Sequence, residues 1–204
     1  MTVAAFLTIA LIHLAAAISP GPSFVVSVRT AVSSGFATAT ALAFGFGLGA
    51  LLWAFAAMAG LALVFELVPA LFMTLKFVGA AFLIWIAYQM WRHAPEPMDM
   101  SGTEGKRMTT WQAIRYGFLT FASNPKPAVF FGAVFVGMVP VDTPLTWRIA
   151  ILAAVFLNET LWYILVARLF SLAPARKVYL GLKTTIDRIF SGFLVLLGLK
   201  IAFD

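Results

Sequence analysis

"AAAISPGPSFVVSVR", residues 15–29, sets Ser-Pro-Gly-Pro in the middle of an apolar run. Proline removes a backbone donor and clashes with the preceding turn, and glycine loosens a helix further. Such a stretch would spoil an ordinary helix core, unless the helix is meant to stop and restart there. Ser19 suits an N-cap and Pro20 a first helical position, so the stretch predicts a helix that breaks and begins again.

The composition around this break is that of a membrane protein. The chain has 204 residues, of which 62% are hydrophobic and 11% charged, and its mean hydropathy is +0.98. Soluble domains carry about 25% charged residues, so lipid is the expected solvent. The formal charge is +6, but the basic residues are spread over short loops between apolar runs, which argues against nucleic acid as a partner. There is no cysteine, which excludes disulfide frameworks, thiolate metal sites and thiol relays. Neither a cofactor nor a metal is expected. No Lys or Arg precedes the first apolar core, and that core runs on to Val28, so it is read as a retained span and not as a cleaved signal.

Six segments are apolar enough to hold helices of about 20 residues: 3–28, 37–65, 70–91, 112–139, 146–168 and 187–203. The polar stretch at 92–110 divides them three and three. This predicts an all-α integral membrane protein, with a first three-helix repeat over 1–92, a cytoplasmic linker over 93–110 and a second repeat over 111–204. The basic stretch 168–188 is a candidate for an interfacial amphipathic helix. Arg29, Arg92, Lys106, Arg107, Arg115, Arg168, Arg176, Lys177, Lys183 and Arg188 fall on one side, and Lys76, Arg148 and Lys200 on the other. The positive-inside rule puts the first group in the cytoplasm and both termini on the outer side. Glu66 and Lys76 are expected to snorkel at the outer ends of spans two and three.

The two halves echo each other. "SPGPSFV" (19–25) aligns with "NPKPAVF" (124–130), and Phe77-Val78-Gly79 with Phe190-Ser191-Gly192. A three-span unit repeated in one chain must appear in opposite orientations. The expected architecture is therefore two inverted three-helix repeats, each with a broken first helix, as in many secondary transporters.

The breaks carry the chemistry. A restarted helix exposes free N–H groups and the positive end of a dipole, an anion-binding arrangement. Gly21 admits a ligand to the backbone, and Lys126 adds a full charge at the matching place in the second half. Ser19 lies ten residues from Arg29, Asn124 nine from Arg115, and Glu159 nine from Arg168. At 1.5 Å per residue all three sit about 14–15 Å from a cytoplasmic-side charge, half of a hydrocarbon core of about 30 Å. A charge at that depth faces a partner or a wet cavity.

Two readings follow for Lys126 and Glu159: a structural ion pair between the fourth and fifth spans, or a site for a zwitterion. In the second, the half-helix ends and Lys126 take a carboxylate, and Glu159 takes an ammonium or a coupling proton. The substrate-binding set is then Ser19, Pro20, Gly21, Pro22, Asn124, Pro125, Lys126, Pro127, Asn158 and Glu159. Asn158 fits either the site or an interhelical hydrogen bond. His13 is a second proton-coupling candidate, although such a histidine is more often only hydrogen-bonded. Trp162 and Tyr163 are candidates to line a cavity. Gly45, Gly47 and Gly49, with Gly35, Gly79 and Gly192, offer small faces for close helix packing.

Residues 19–53, 75–92 and "GFLTFASNPKPAVFFGAVF" (117–135) resemble the lysine and homoserine/threonine exporter family (LysE/RhtB) of bacterial inner membranes. The resemblance rests on Pro20, Gly21, Pro22, Lys76, Gly79, Ala80, Asn124, Pro125 and Lys126 together. It implies export of amino acids or close derivatives, driven by the proton motive force. Pro127 stands where that motif usually has alanine, and Asn158-Glu159 has no counterpart in it. The reading is an exporter of a small zwitterionic solute, working with protons by alternating access in the inner membrane, with a homodimer compatible with its size. A metal-ion or other small-solute exporter and a non-transporting membrane scaffold are the alternatives.

Overall fold

The computed structural model describes residues 1–61, 69–97, 108–135, 138–140 and 142–203, and all regular structure among them is helical. Helix α1 (Val3–Ile18) starts at Thr2, whose hydroxyl accepts from Ala5 N at 3.2 Å. It stops at Ser19, because Pro20 follows. Helix α2 (Pro22–Ala56) restarts with Gly21 extended at its N-cap and Pro22 in its first turn, so Ser19 caps the end of α1 and not, as the sequence predicted, the start of α2, and Pro20 lies between the helices.

Gly35 divides α2 into two arms, with φ 84° and ψ 174°. That conformation is essentially reserved for glycine. Gly35 is therefore the corner between the first two apolar segments, a different task from the close packing its composition suggested. A π-helical turn, Ala57–Leu61, extends the second arm.

Helix α3 (Pro69–Arg92) holds the third segment. Helix α4 (Thr110–Ala122) opens with a capping box in which Thr109 and Gln112 exchange hydrogen bonds at 2.9 and 3.2 Å. The second break follows at Ser123-Asn124. Helix α5 (Pro125–Val129) continues directly into a π-helical segment, Phe130–Phe135. Helix α6 (Leu145–Phe170) is long and nearly uniform in hydrophobicity. After a turn at Ser171-Leu172, helix α7 (Ala173–Phe203) runs unbroken through the rest of the basic stretch and the last apolar segment, so residues 173–186 form no separate interfacial helix.

By length and apolarity, Pro22–Ala59 and Leu145–Phe170 can cross a membrane, and Val3–Ile18 is a shorter apolar helix. Helix α2 packs along α4 and α6, α1 along α6, and α3 along α7. Glycine makes the α2 contacts possible. A side chain on Gly45 would strike the backbone of Ile114 and Gly117, and one on Gly117 would strike Leu42 O. Gly47 lies against Thr160 and Phe156 of α6, and Gly49 against Phe121. Gly192, by contrast, faces open space, while Gly198 six residues on sits against Ala80 and Ile84 of α3.

Glu66, Lys106, Arg107 and most of the 93–110 linker (98–107) lie outside the described residues, as do the side chains of Lys76 and Lys200 and the packing of Gly79.

Candidate functional site at the two helix breaks

Both breaks are buried and they touch. Ser19 is 1% exposed and Asn124 5%. The Asn124 side chain works in both directions: its oxygen accepts from Lys126 N at 3.0 Å, capping α5, and its Nδ2 donates to Ser23 Oγ at 3.0 Å. The restart of one half is thus bonded to the restart of the other. Ser23 escaped the sequence reading because a serine after a proline carries no signal of a partner 101 residues away.

Lys126 points back across the break. Its ammonium donates to Ala16 O at 3.1 Å and to Ser19 O, two carbonyls at the C-terminal end of α1. These oxygens lack helical donors, and the end of a helix is partly negative. An ammonium has three donors, so two bonds to α1 leave one for something else. The aliphatic stem of Lys126 passes 3.3 Å from where a Cβ on Gly21 would stand, so glycine keeps that passage open.

Glu159, on α6 and 3% exposed, does not meet Lys126. Its Oε2 lies 3.6 Å from His13 Nε2 on α1. The His13 ring packs against both Phe130 and Phe131, at 5.7 and 5.6 Å between centroids, and its Nδ1 has no partner. The π-helical segment supplies those two rings, and π turns are frequent at functional sites. Asn158 donates to Ala10 O at 2.9 Å, so it ties α6 to α1.

A small cavity of about 30 Å³ remains where these groups converge. Its lining includes His13, Gly21, Ser23, Asn124, Lys126, Pro127, Glu159 and Tyr163. That volume is far below the ~300–1,000 Å³ of a small-molecule site. Tyr163 lines it and stacks edge-on against Phe46 at 4.7 Å, whereas Trp162 is not among the lining residues. The Ser19 hydroxyl is buried without a partner. Pro20 and Pro22 border a larger opening beside the break. Pro125 acts through the backbone, as the first residue of α5.

A cationic side chain and an acid–imidazole pair therefore face one small pocket, at the point where two helices are interrupted. The family model for the LysE type translocator matches residues 14–204. The chain belongs to that family. The LysE-type chain is also 33% identical over 194 residues to the threonine efflux protein of Escherichia coli K12, covering 92% of this chain and 94% of that one. The threonine efflux protein of Salmonella typhi gives the same identity and coverage. A membrane protein of Haemophilus influenzae is 30% identical, covering 89% of this chain and 88% of its own. No solved structure matches. Membership of this family and these relatives place the LysE-type chain in a membrane.

Proposed function

We propose that this LysE-type chain exports a small zwitterionic amino acid from the cytoplasm in exchange for protons, with L-threonine the first compound to test. The observation that carries this reading is the small pocket between the two broken helices, with Lys126 on one wall and Glu159 with His13 on another. The threonine efflux relatives support an amino acid as the cargo.

The pocket supplies the parts that such transport needs. The third N–H of Lys126 and the uncapped first turn of α2 attract a carboxylate. The Glu159 carboxylate attracts an ammonium or carries a proton, and His13 beside it is a second proton acceptor. Substrate and proton compete for one negative charge, which is the simplest way to couple their opposite movements. A cavity of about 30 Å³ is too small for an amino acid, so the helices that frame it must separate during the cycle. Two broken helices, one in each half, supply a place to do so, and this supports alternating access between two inverted three-span repeats. The basic side of the chain faces the cytoplasm in this reading, and both termini face out.

Uptake of labelled L-threonine, L-serine, glycine and L-lysine into inside-out membrane vesicles, with and without a protonophore, tests the proposal. Protonophore-sensitive accumulation of one of these classes is the expected result. If folded protein accumulates none of them, the pocket becomes a structural junction and the scaffold reading takes its place.

A further inference from the structure

A second cavity, of about 570 Å³, opens beside the first. Its inner end is formed by Pro20, Gly21, Pro22, Asn124 and Lys126, the residues of the two breaks. From there it runs between the first arm of α2 and the pair α3–α7. Along α3 its walls extend from Phe82 to His93, about 16 Å at the helical rise. That is half the thickness of a hydrocarbon core. The far end lies next to Arg92 and Arg188, on the basic side. Sites for small molecules typically measure about 300–1,000 Å³ and are largely apolar with a few placed polar groups, which describes this vestibule.

Asn124 and Lys126 stand at its inner end, and a second polar group stands at the other. Lys183 and Asp187, one turn apart on α7, pair at 2.8 Å with side chains 14% and 9% exposed. The lysine is already committed: besides Asp187 it reaches Ala94 O at 3.1 Å and His93 O at 3.5 Å, closing the C-terminal end of α3. The aspartate is not. It accepts one bond, at Oδ2, from Lys183, and a carboxylate has about four acceptor sites. The hydroxyl of Tyr179, two turns away on the same helix, is buried without a partner. Both Asp187 and Tyr179 line the cavity.

We propose that this vestibule is a first binding site for the transported amino acid on the basic side, in which Asp187 receives the ammonium group and Tyr179 supports it. The inference rests on the export reading for its choice of ligand. The polarity of the vestibule gives it a direction. An acceptor stands at the mouth and the Lys126 ammonium at the inner end, so a zwitterion enters with its carboxylate leading toward the breaks. A compound without a free amine lacks the group that Asp187 selects.

The natural absence of cysteine makes the test direct. Gln89→Cys places a single thiol on the vestibule wall, and Val25→Cys is a second reporter on the opposite wall. In inside-out vesicles a membrane-impermeant maleimide should label both, and L-threonine should slow the labelling while N-acetyl-threonine does not. Adding Asp187→Asn should raise the threonine concentration for half-protection at least tenfold, the loss expected for one charge-assisted contact. The KM for threonine uptake should rise by a similar factor, with the maximal rate within about twofold of the parent. Lys183→Met removes the tie to α3 but keeps the carboxylate, so half-protection should stay at or below its parent value.

Unreactive thiols at both positions would overturn the proposal, because the vestibule would then be closed to the basic side. So would equal losses for Asp187→Asn and Lys183→Met, which would make the pair a structural tie. Robust threonine uptake without protection would remove the vestibule site and leave the export reading intact. Protection that depends on Asp187 without any uptake would do the reverse.

Discussion

The Glu159 carboxylate lies 3.6 Å from the His13 imidazole, while the Lys126 ammonium is turned away to Ala16 O and Ser19 O. The two full charges of the central pocket form no direct ion pair, and each is engaged with α1. Lys126 seals the C-terminal end of that helix, and Glu159 faces a side chain one and a half turns before it. Any movement of α1 changes the surroundings of both charges together, which is what a coupled cycle requires.

Glu159→Gln keeps the size of the side chain and removes its charge. Exchange of threonine between preloaded and external pools should continue, while uptake driven by a proton gradient should fall at least tenfold. His13→Gln should move the pH profile of uptake with less effect on exchange. Full protonophore-sensitive transport by Glu159→Gln would end its role in coupling.

Lys126→Met removes two hydrogen bonds from a charged donor, each worth about 1.5–3 kcal/mol. The melting temperature in detergent should drop by several degrees and uptake should be lost. Lys126→Arg retains the charge but brings a planar fork where a compact ammonium sits. It should regain part of the stability without regaining uptake. Wild-type melting of Lys126→Met would show that the α1 contacts carry no weight.

Asn124 has two functions that substitution can separate. Ser23→Ala removes the bond between the breaks and leaves the oxygen that caps α5 in place. Asn124→Ala discards both, and loss of an N-cap alone costs about 1 kcal/mol. If the bond between the breaks matters for transport, both variants should lose uptake, while only Asn124→Ala shows the full loss of stability.

Glycines should divide sharply by position. Gly45→Ala and Gly117→Ala force apart backbones already in contact and should prevent folding or cut the melting temperature severely. Gly192→Ala meets nothing within 4 Å and should be neutral or stabilising, by up to about 1 kcal/mol from helix propensity. Thermal melts of the purified variants provide the comparison. A melting temperature for Gly45→Ala equal to the parent's would contradict the close α2–α4 crossing.

Gly35→Ala should cost about 1–3 kcal/mol although there is empty space around it, because the backbone conformation excludes a side chain. Asparagine, often tolerated where φ is positive, should not rescue it, since ψ of 174° lies far from the left-handed helical region. Melting curves of the two variants should therefore nearly coincide.

The sequence by itself determined that this chain is helical and apolar, and where two of its helices break. Proline, glycine and N-cap residues act on their immediate neighbours, so Ser19-Pro20-Gly21-Pro22 and Asn124-Pro125 declare a stop and a restart whatever surrounds them. The spacing of Glu159 from Arg168 likewise fixes its depth along α6, because helical rise is constant. What the charges pair with was decided only in three dimensions. Equal depth suggested Lys126 and Glu159 as partners, but depth says nothing about rotation around the helix axes. Packing of α1 against α6 turns Glu159 to His13, and the bend at the second break carries Lys126 to the exposed carbonyls of α1. The task of Gly35 shows the same limit. A glycine among small residues reads as a packing surface, and only its φ and ψ reveal a corner. Local geometry is written in neighbouring residues, whereas partners across the fold depend on the relative rotation and approach of helices, which no single segment encodes.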